Sequence, residues 1–419
     1  MASFVSTLRR IFSNRNVAVL IVADIVFMLG GNLWWTFQPL YILALGASKE
    51  ILGILYMLQS VATLFFQIPG GILADRFGRR KIILWGAFIR CAPSIIYLLA
   101  NDWTFFIPGM LLSAISSIDI PAWNALLVES LPLESRGAGY SLYRTLTSVS
   151  GIFMAPLGGV LMDTMGVVFG TRLCLMVNEV MMLIYTFIIW RFITETRKEG
   201  KAKTETPEKR KDVTVVQRLK MMPRGIWILI VVGGISGFAI KLSASFTVVY
   251  ATEFIRLSKT EWGLIVTLFS LISTSVTTPA GFLGDRIGRK ICIITSQILS
   301  LVSTFFFINS RAFGGALFSR ALEGVASGFG GLVMGEMGGP TWQALIADLV
   351  PSESRGSIMG LIGTIIGALG APSPWIGGYL YENLSPVLPF QLNIALRMGA
   401  ITVFALFLKE PRDRARALL

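Results

Sequence analysis

The sequence predicts an all-α polytopic membrane protein, with twelve transmembrane helices in two pseudo-symmetric six-helix bundles. Three observations carry this. Of 419 residues, 54% are hydrophobic and only 15% charged, too apolar a balance for a soluble chain of this length. Apolar runs of roughly 20 residues, enough to cross a bilayer, recur from end to end. Long segments of the first half also return in the second.

The predicted spans lie near 17–41, 50–72, 82–100, 104–128, 138–162 and 173–192, and then near 226–251, 262–284, 291–309, 313–346, 357–381 and 389–408. They divide the chain into an N-terminal bundle (1–193), a basic linker (194–225) and a C-terminal bundle (226–419). The linker opens TETRKEGKAKTETPEKRKD, too charged and too poor in apolar residues to build a core. Val213 to Met222 has the pattern of a short amphipathic helix on a membrane surface. The start of the chain is basic (Arg9, Arg10, Arg15) and its apolar run is too long for a signal h-region, so no cleavable signal is expected.

An even number of spans puts both termini on one side. The turns on the opposite side hold Lys49, Arg172, Arg256, Lys259 and Arg311, a small share of the 37 Lys and Arg. Positive charge stays cytoplasmic, so both termini are expected in the cytoplasm of a prokaryotic cell membrane. The net charge of +13 then reads as topology and contact with anionic lipid, which argues against nucleic acid as a partner. Cys91, Cys174 and Cys292 sit singly inside apolar runs, the pattern of small packing residues. Histidine is absent, which excludes zinc-histidine chemistry, a histidine-based triad and a histidine proton relay. With no P-loop, nucleophile elbow or paired-carboxylate hydrolase pattern, no enzyme, metal or cofactor is expected.

The repeat is specific. Gly70 to Lys81, GGILADRFGRRK, returns as Gly281 to Lys290, GFLGDRIGRK. Pro121 to Gly137, with tryptophan, acid and Glu-Ser-Arg-Gly at fixed steps, returns as Pro340 to Gly356, and Gly151, Gly158 and Gly159 return as Gly370, Gly377 and Gly378. The offset is 210 at Asp75 and Asp285 but 219 at Pro121 and Pro340, which leaves nine extra residues in span 10. They fall in the glycine-rich stretch Gly328 to Gly339, where a kink, bulge or unwound turn is expected.

A tight charged turn between spans 2 and 3, repeated between spans 8 and 9, resembles the signature loop of the major facilitator superfamily, and the resemblance covers nearly the whole chain. It implies alternating access around a central site between the bundles, with spans 1, 4, 7 and 10 lining the cavity. It also implies a cytoplasmic charge gate. Here that is Asp75, Arg79 and Glu129 in the first half and Asp285, Arg289 and Asp348 in the second, with Arg76, Arg136 and Arg355 as neighbours. Gly71 and Gly78 permit the turn and the close helix approach. Gly151 to Gly159 is similar to the span-5 motif of drug/proton antiporters, with one glycine replaced by alanine and one residue missing.

Charges deep in a bilayer are costly and face a cavity or a partner. At 1.5 Å per residue, Asp24, Asp119 and Lys241 fall near mid-depth on spans 1, 4 and 7. Asp24, Met28, Gly31, Asn32, Trp35 and Gln38 form one stripe of span 1, and Gly234, Gly237, Lys241, Ser245, Val248 and Thr252 one of span 7. Trp123 and Arg320 join Asn32, Trp35, Gln38, Lys241 and Ser245 as candidates for the cavity wall. Asp24, Asp119, Glu323 and Glu336 are the candidates for proton coupling, and the last two cannot share a face of a straight helix. Arg90, Glu179 and Arg397, on spans expected to be peripheral, are expected to pair structurally, and Arg144 is a candidate counter-ion.

These features predict a proton-coupled exporter of amphiphilic or drug-like small molecules, with substrate, proton and membrane lipid as its partners. An uptake symporter for a sugar or organic anion is the alternative, favoured by Lys241 and Arg320. A non-transporting membrane sensor is a third reading, which the several mid-membrane charges disfavour.

Overall fold

The computed structural model describes residues 14–131, 136–195, 224–330, 339–350 and 355–408. Among these, eleven helical runs are long and apolar enough to cross a membrane: Arg15–Ala44, Lys49–Ala74, Arg79–Leu98, Trp103–Ser130, Thr145–Met165, Val167–Phe192, Gly225–Glu253, Lys259–Thr277, Arg289–Asn309, Ile358–Asn383 and Leu388–Phe407. Span 10 is described in two pieces, Phe313–Gly328 and Pro340–Leu349. The described residues contain no strand. Glu336 and the expected surface helix at Val213 to Met222 lie outside the described residues, as do the side chains of Asp75, Arg136, Arg144, Asp285 and Arg355.

Repeated sequence gives repeated local structure. Ser48 and Ser258 each cap a 29-residue helix, and their hydroxyls accept from the Ile51 and Glu261 backbone N–H groups at 3.1 Å. Glu261 completes a capping box by accepting from the Ser258 N–H at 2.8 Å. The turns after spans 2 and 8 are made by Gly78 (φ 91°) and Gly288 (φ 100°), a backbone region that glycine enters without steric cost.

Breaks in the helices re-aim side chains at mid-depth. Span 1 leaves the α-helix at Gly31 and resumes at Gln38 after a 3-10 turn at Trp35–Phe37. Span 4 carries a 3-10 turn at Ser117–Asp119 before Pro121, and span 7 breaks between Ala244 and Thr247. Span 10 breaks most. Gly330 has a φ of 69°, and a Cβ on Gly339 would sit 2.5 Å from its Cα. The Trp342 N–H donates to the Gly330 carbonyl at 3.2 Å. The described residues on either side of the glycine run thus lie against each other, one helix ending at Gly328 and the next starting at Pro340.

Three apolar cores organise the molecule. One belongs to the N-terminal half (Leu20, Ile83, Leu126, Ile189) and one to the C-terminal half (Ile226, Ile293, Trp342, Phe404), both towards the Gly78 and Gly288 turns. The third, at the opposite end, is shared: Phe37, Tyr41 and Leu52 pack in one cluster with Phe246, Trp262 and Tyr381. The halves thus share a core at one end and keep separate cores at the other.

Candidate functional site

In the N-terminal half the site is built around Arg90 of span 3. Its Nη2 donates to both Asp119 carboxylate oxygens, at 2.7 and 2.8 Å, and its Nη1 donates to the Tyr185 hydroxyl at 3.1 Å. Asp119 ends the 3-10 turn of span 4 and is 1% exposed. Gly86, one turn before Arg90, makes the fit possible, since a Cβ there would lie 2.3 Å from Asp119 Oδ2. Beside this pair the Tyr143 hydroxyl donates to Asp24, and Trp123 Nε1 donates to the Tyr143 oxygen at 2.9 Å. Two carboxylates thus face one guanidinium among the described side chains. Arg90 also lines a cavity of about 240 Å³ with Trp35, Gln38 and Gln59.

A larger cavity, about 500 Å³, lies between the halves. Trp35, Thr36 and Tyr56 bound it from one half, and Ser245, Trp262, Phe307, Arg320 and Glu323 from the other. That volume suits a drug-sized ligand. Glu323 is 7% exposed, and both its oxygens accept from Ser300 Oγ, at 2.7 and 2.9 Å. The Ser300 oxygen accepts in turn from Arg397 Nη1 at 2.9 Å, while Arg397 Nε and Nη2 donate to Gln297 Oε1 at 3.1 and 2.7 Å. Trp35 walls both cavities.

The two ends differ. At the signature turns, the ion pairs between described residues join Arg79 with Glu129 in one half and Arg289 with Asp348 in the other. Helix carbonyls near the ends of spans 6 and 12 take cations from the neighbouring turns. Arg80 Nη2 donates to Trp190 O at 3.3 Å, and Lys290 Nζ to Ala405 O and Leu408 O at 2.7 Å.

At the opposite end the bonds cross between halves. The Asp163 carboxylate, at the end of span 5, accepts from the backbone N–H groups of Lys259 and Thr260, at 3.1 and 2.8 Å, and from the Thr260 hydroxyl at 2.7 Å. Glu382, at the end of span 11, accepts from the Glu50 N–H at 2.8 Å. Each carboxylate caps the first turn of a helix in the other half. A Cβ on Gly159 would meet Lys259 O at 2.4 Å, and one on Gly378 would meet Lys49 O at 2.5 Å. Trp262 Nε1 adds a bond to Thr36 Oγ1 at 3.0 Å. Gly159→Leu is therefore expected to hold this end apart, which labelling rates at an engineered cysteine on the Ala47 turn would report. Labelling unchanged from the parent protein would contradict it.

The structure separates the expected site residues. Trp35, Gln38, Ser245, Arg320 and Glu323 lie on cavity walls, but Asp24, Asn32, Asp119, Trp123 and Lys241 line neither cavity. The break in span 1 rotates the stripe expected there. Asn32 turns its amide onto Met28 O at 2.9 Å, Trp123 is turned to Tyr143, and the Lys241 stem packs by Gly370. Arg90 pairs with Asp119 and Arg397 bonds Gln297 and Ser300, and both, on spans expected to be peripheral, also line the cavities. Glu179, expected to pair, has both carboxylate oxygens buried with no hydrogen-bond partner among the described residues. In the gate, Arg76 lies over the Phe77 ring at 5.4 Å, and Glu195, absent from the expected set, accepts from the Arg80 N–H at 3.0 Å.

Known proteins agree with this architecture. The sequence profile described as Major Facilitator Superfamily matches residues 20–255 and 229–418. Quinolone resistance protein NorA of Staphylococcus aureus is 30% identical over 156 residues, which are 37% of this chain and 38% of that protein. The match thus spans under two-fifths of the relative. The solved nucleoside transporter NupG has a TM-score of 0.74 at 12% identity, over 94% of this chain and 100% of that one. A D-xylose-proton symporter has a TM-score of 0.71 at 14% identity, over 97% and 98%. At such identities the two structures establish the fold alone. With the family profile running over both halves, the chain belongs to the Major Facilitator Superfamily.

Proposed function

We propose that this transporter is a proton-coupled exporter of amphiphilic small molecules, working by alternating access with its signature turns and both termini in the cytoplasm. The observation that carries the reading is the N-terminal cluster, where Asp119 is paired with Arg90 and a second carboxylate, Asp24, lies beside the pair with Tyr143 as its hydrogen-bond donor among the described residues. In a low-dielectric interior a second, unbalanced carboxylate is expensive, and the neutral acid is the cheaper form. One of the pair therefore takes up a proton and returns it as Arg90, which also faces a cavity, moves with the substrate. The larger cavity supplies the substrate wall, with Trp35, Trp262, Phe269 and Phe307 offering flat apolar contact. The NorA relative, named for quinolone resistance, supports export of drug-like compounds.

Uptake in symport with a proton is the second reading. Arg320 in the larger cavity favours an anionic solute. Direction of coupling separates the two. In proteoliposomes with an acidic lumen, antiport predicts accumulation of norfloxacin driven by proton exit. Accumulation only when the outside is acidic would replace export by symport, and flux indifferent to either gradient would remove proton coupling.

A further inference from the structure

The larger cavity contains a cation held among aromatic rings, with Glu323 near it on the same wall. The Arg320 guanidinium carbon lies 5.5 Å from the Phe269 ring centre, 5.8 Å from Trp262 and 5.9 Å from Phe307. Cation–π contact with three rings fixes the group and offsets part of its dehydration. It leaves the five N–H donors of the guanidinium without a protein acceptor, since Arg320 makes no hydrogen bond or ion pair with any described residue. Glu323, one turn further on, lies near enough for its charge to act on Arg320 but makes no hydrogen bond to it, its oxygens accepting from Ser300. Arg397, the second guanidinium on the wall, is 2% exposed and committed to Gln297 and Ser300. Two guanidiniums against one carboxylate leave this wall with a positive charge in excess, set among aromatic rings.

We infer that the larger cavity selects organic acids: a carboxylate received by the Arg320 fork, on a flat apolar body stacked against the aromatic wall. Planar, bidentate geometry makes arginine a better partner for carboxylate than lysine. The rings hold Arg320 in place before the substrate arrives, so little ordering is needed on binding. This inference rests on the substrate cavity assigned above and adds the charge of what enters it.

The test is equilibrium binding to the detergent-solubilised full chain, which needs no gradient and so succeeds or fails apart from proton coupling. Three probes share one ring system and differ in charge: 1-naphthaleneacetate, neutral 1-naphthaleneacetamide and cationic 1-naphthylmethylammonium. Charge-assisted hydrogen bonds predict that the carboxylate binds roughly ten- to a hundredfold tighter than the amide. Arg320→Gln is expected to erase that preference by weakening the carboxylate far more than the amide, and Arg320→Lys to keep part of it, which also controls for loss of fold. Equal or tighter binding of the amide or the amine, no binding of any probe, or a preference that survives Arg320→Gln overturns the inference. Inorganic phosphate and acetate are the remaining arms. If either displaces naphthaleneacetate at its own concentration, the site is one for small anions and the organic-acid assignment falls.

Discussion

Asparagine in place of Asp119 is expected to reduce proton-driven flux by at least about tenfold and to lower thermal stability. The change removes the buried carboxylate that pairs with Arg90 and leaves that part-buried guanidinium against a neutral amide. Breaking a buried ion pair from one side costs about 3–5 kcal/mol, because the remaining charge stays desolvated. Arg90→Leu is expected to do at least as much damage, since Asp24 and Asp119 then have no described cation between them. The double change, Arg90→Leu with Asp119→Leu, should recover stability relative to Arg90→Leu alone, because replacing both charges by apolar groups removes the desolvation cost. Flux should not recover. Melting curves of the four proteins, read with lumen-acid norfloxacin uptake, check both halves of this expectation. A double variant as unstable as Arg90→Leu, or one that transports, would refute the coupling role.

The second large effect concerns the crossed helix caps. Asp163 and Glu382 stand 219 residues apart, the offset of the proline block, while Lys49 and Lys259 stand 210 apart, the offset of the signature turn. Both carboxylates cap helices of the opposite half, so one device is built twice. Loss of a cap costs about 0.5–2 kcal/mol, and two caps gate one interface. Asp163→Ala with Glu382→Ala is expected to shift the open-to-closed ratio at this end by roughly tenfold or more. Pulsed EPR distances between labels at Ala47 and Arg256, on the turns beside the caps, should gain a longer population. Each single alanine should give an intermediate shift. An unchanged distance distribution in the double variant would remove the latch.

The fold was legible because bilayer thickness dictates run length and because the repeat was written in residues that make turns and close approaches. Asp75, Gly78 and Arg79, with their partners at Asp285, Gly288 and Arg289, mark the same corner twice. Glu129 and Asp348 as partners of the turn arginines followed from the resemblance to the family's signature loop. Arg90 escaped because its partner lies 29 residues away on another span, and nothing in spacing gives a distance across helices. Arg397 escaped likewise, its acceptor Gln297 being 100 residues away. Lys241 and Asn32 were placed on cavity walls by assuming straight helices. The break at Gly31 to Gln38 re-aims Asn32, whereas Lys241 lies inside the unbroken helix Arg224–Ala244, on a face that packs by Gly370. The signal for the crossed caps was present: Asp163 and Glu382 obey the same offset as Gly159 and Gly378, but an acid at a loop edge is usually only a solvated charge.

Access to the larger cavity is the most direct test of alternating access here. Ser245, on its wall, is changed to cysteine in a chain whose three native cysteines are alanine, and a membrane-impermeant maleimide is applied to each side of oriented proteoliposomes in turn. The two-body account predicts labelling from the signature-turn side when the crossed caps are intact, and a shift of labelling to the other side in Asp163→Ala with Glu382→Ala. Labelling confined to one side in both proteins would contradict it.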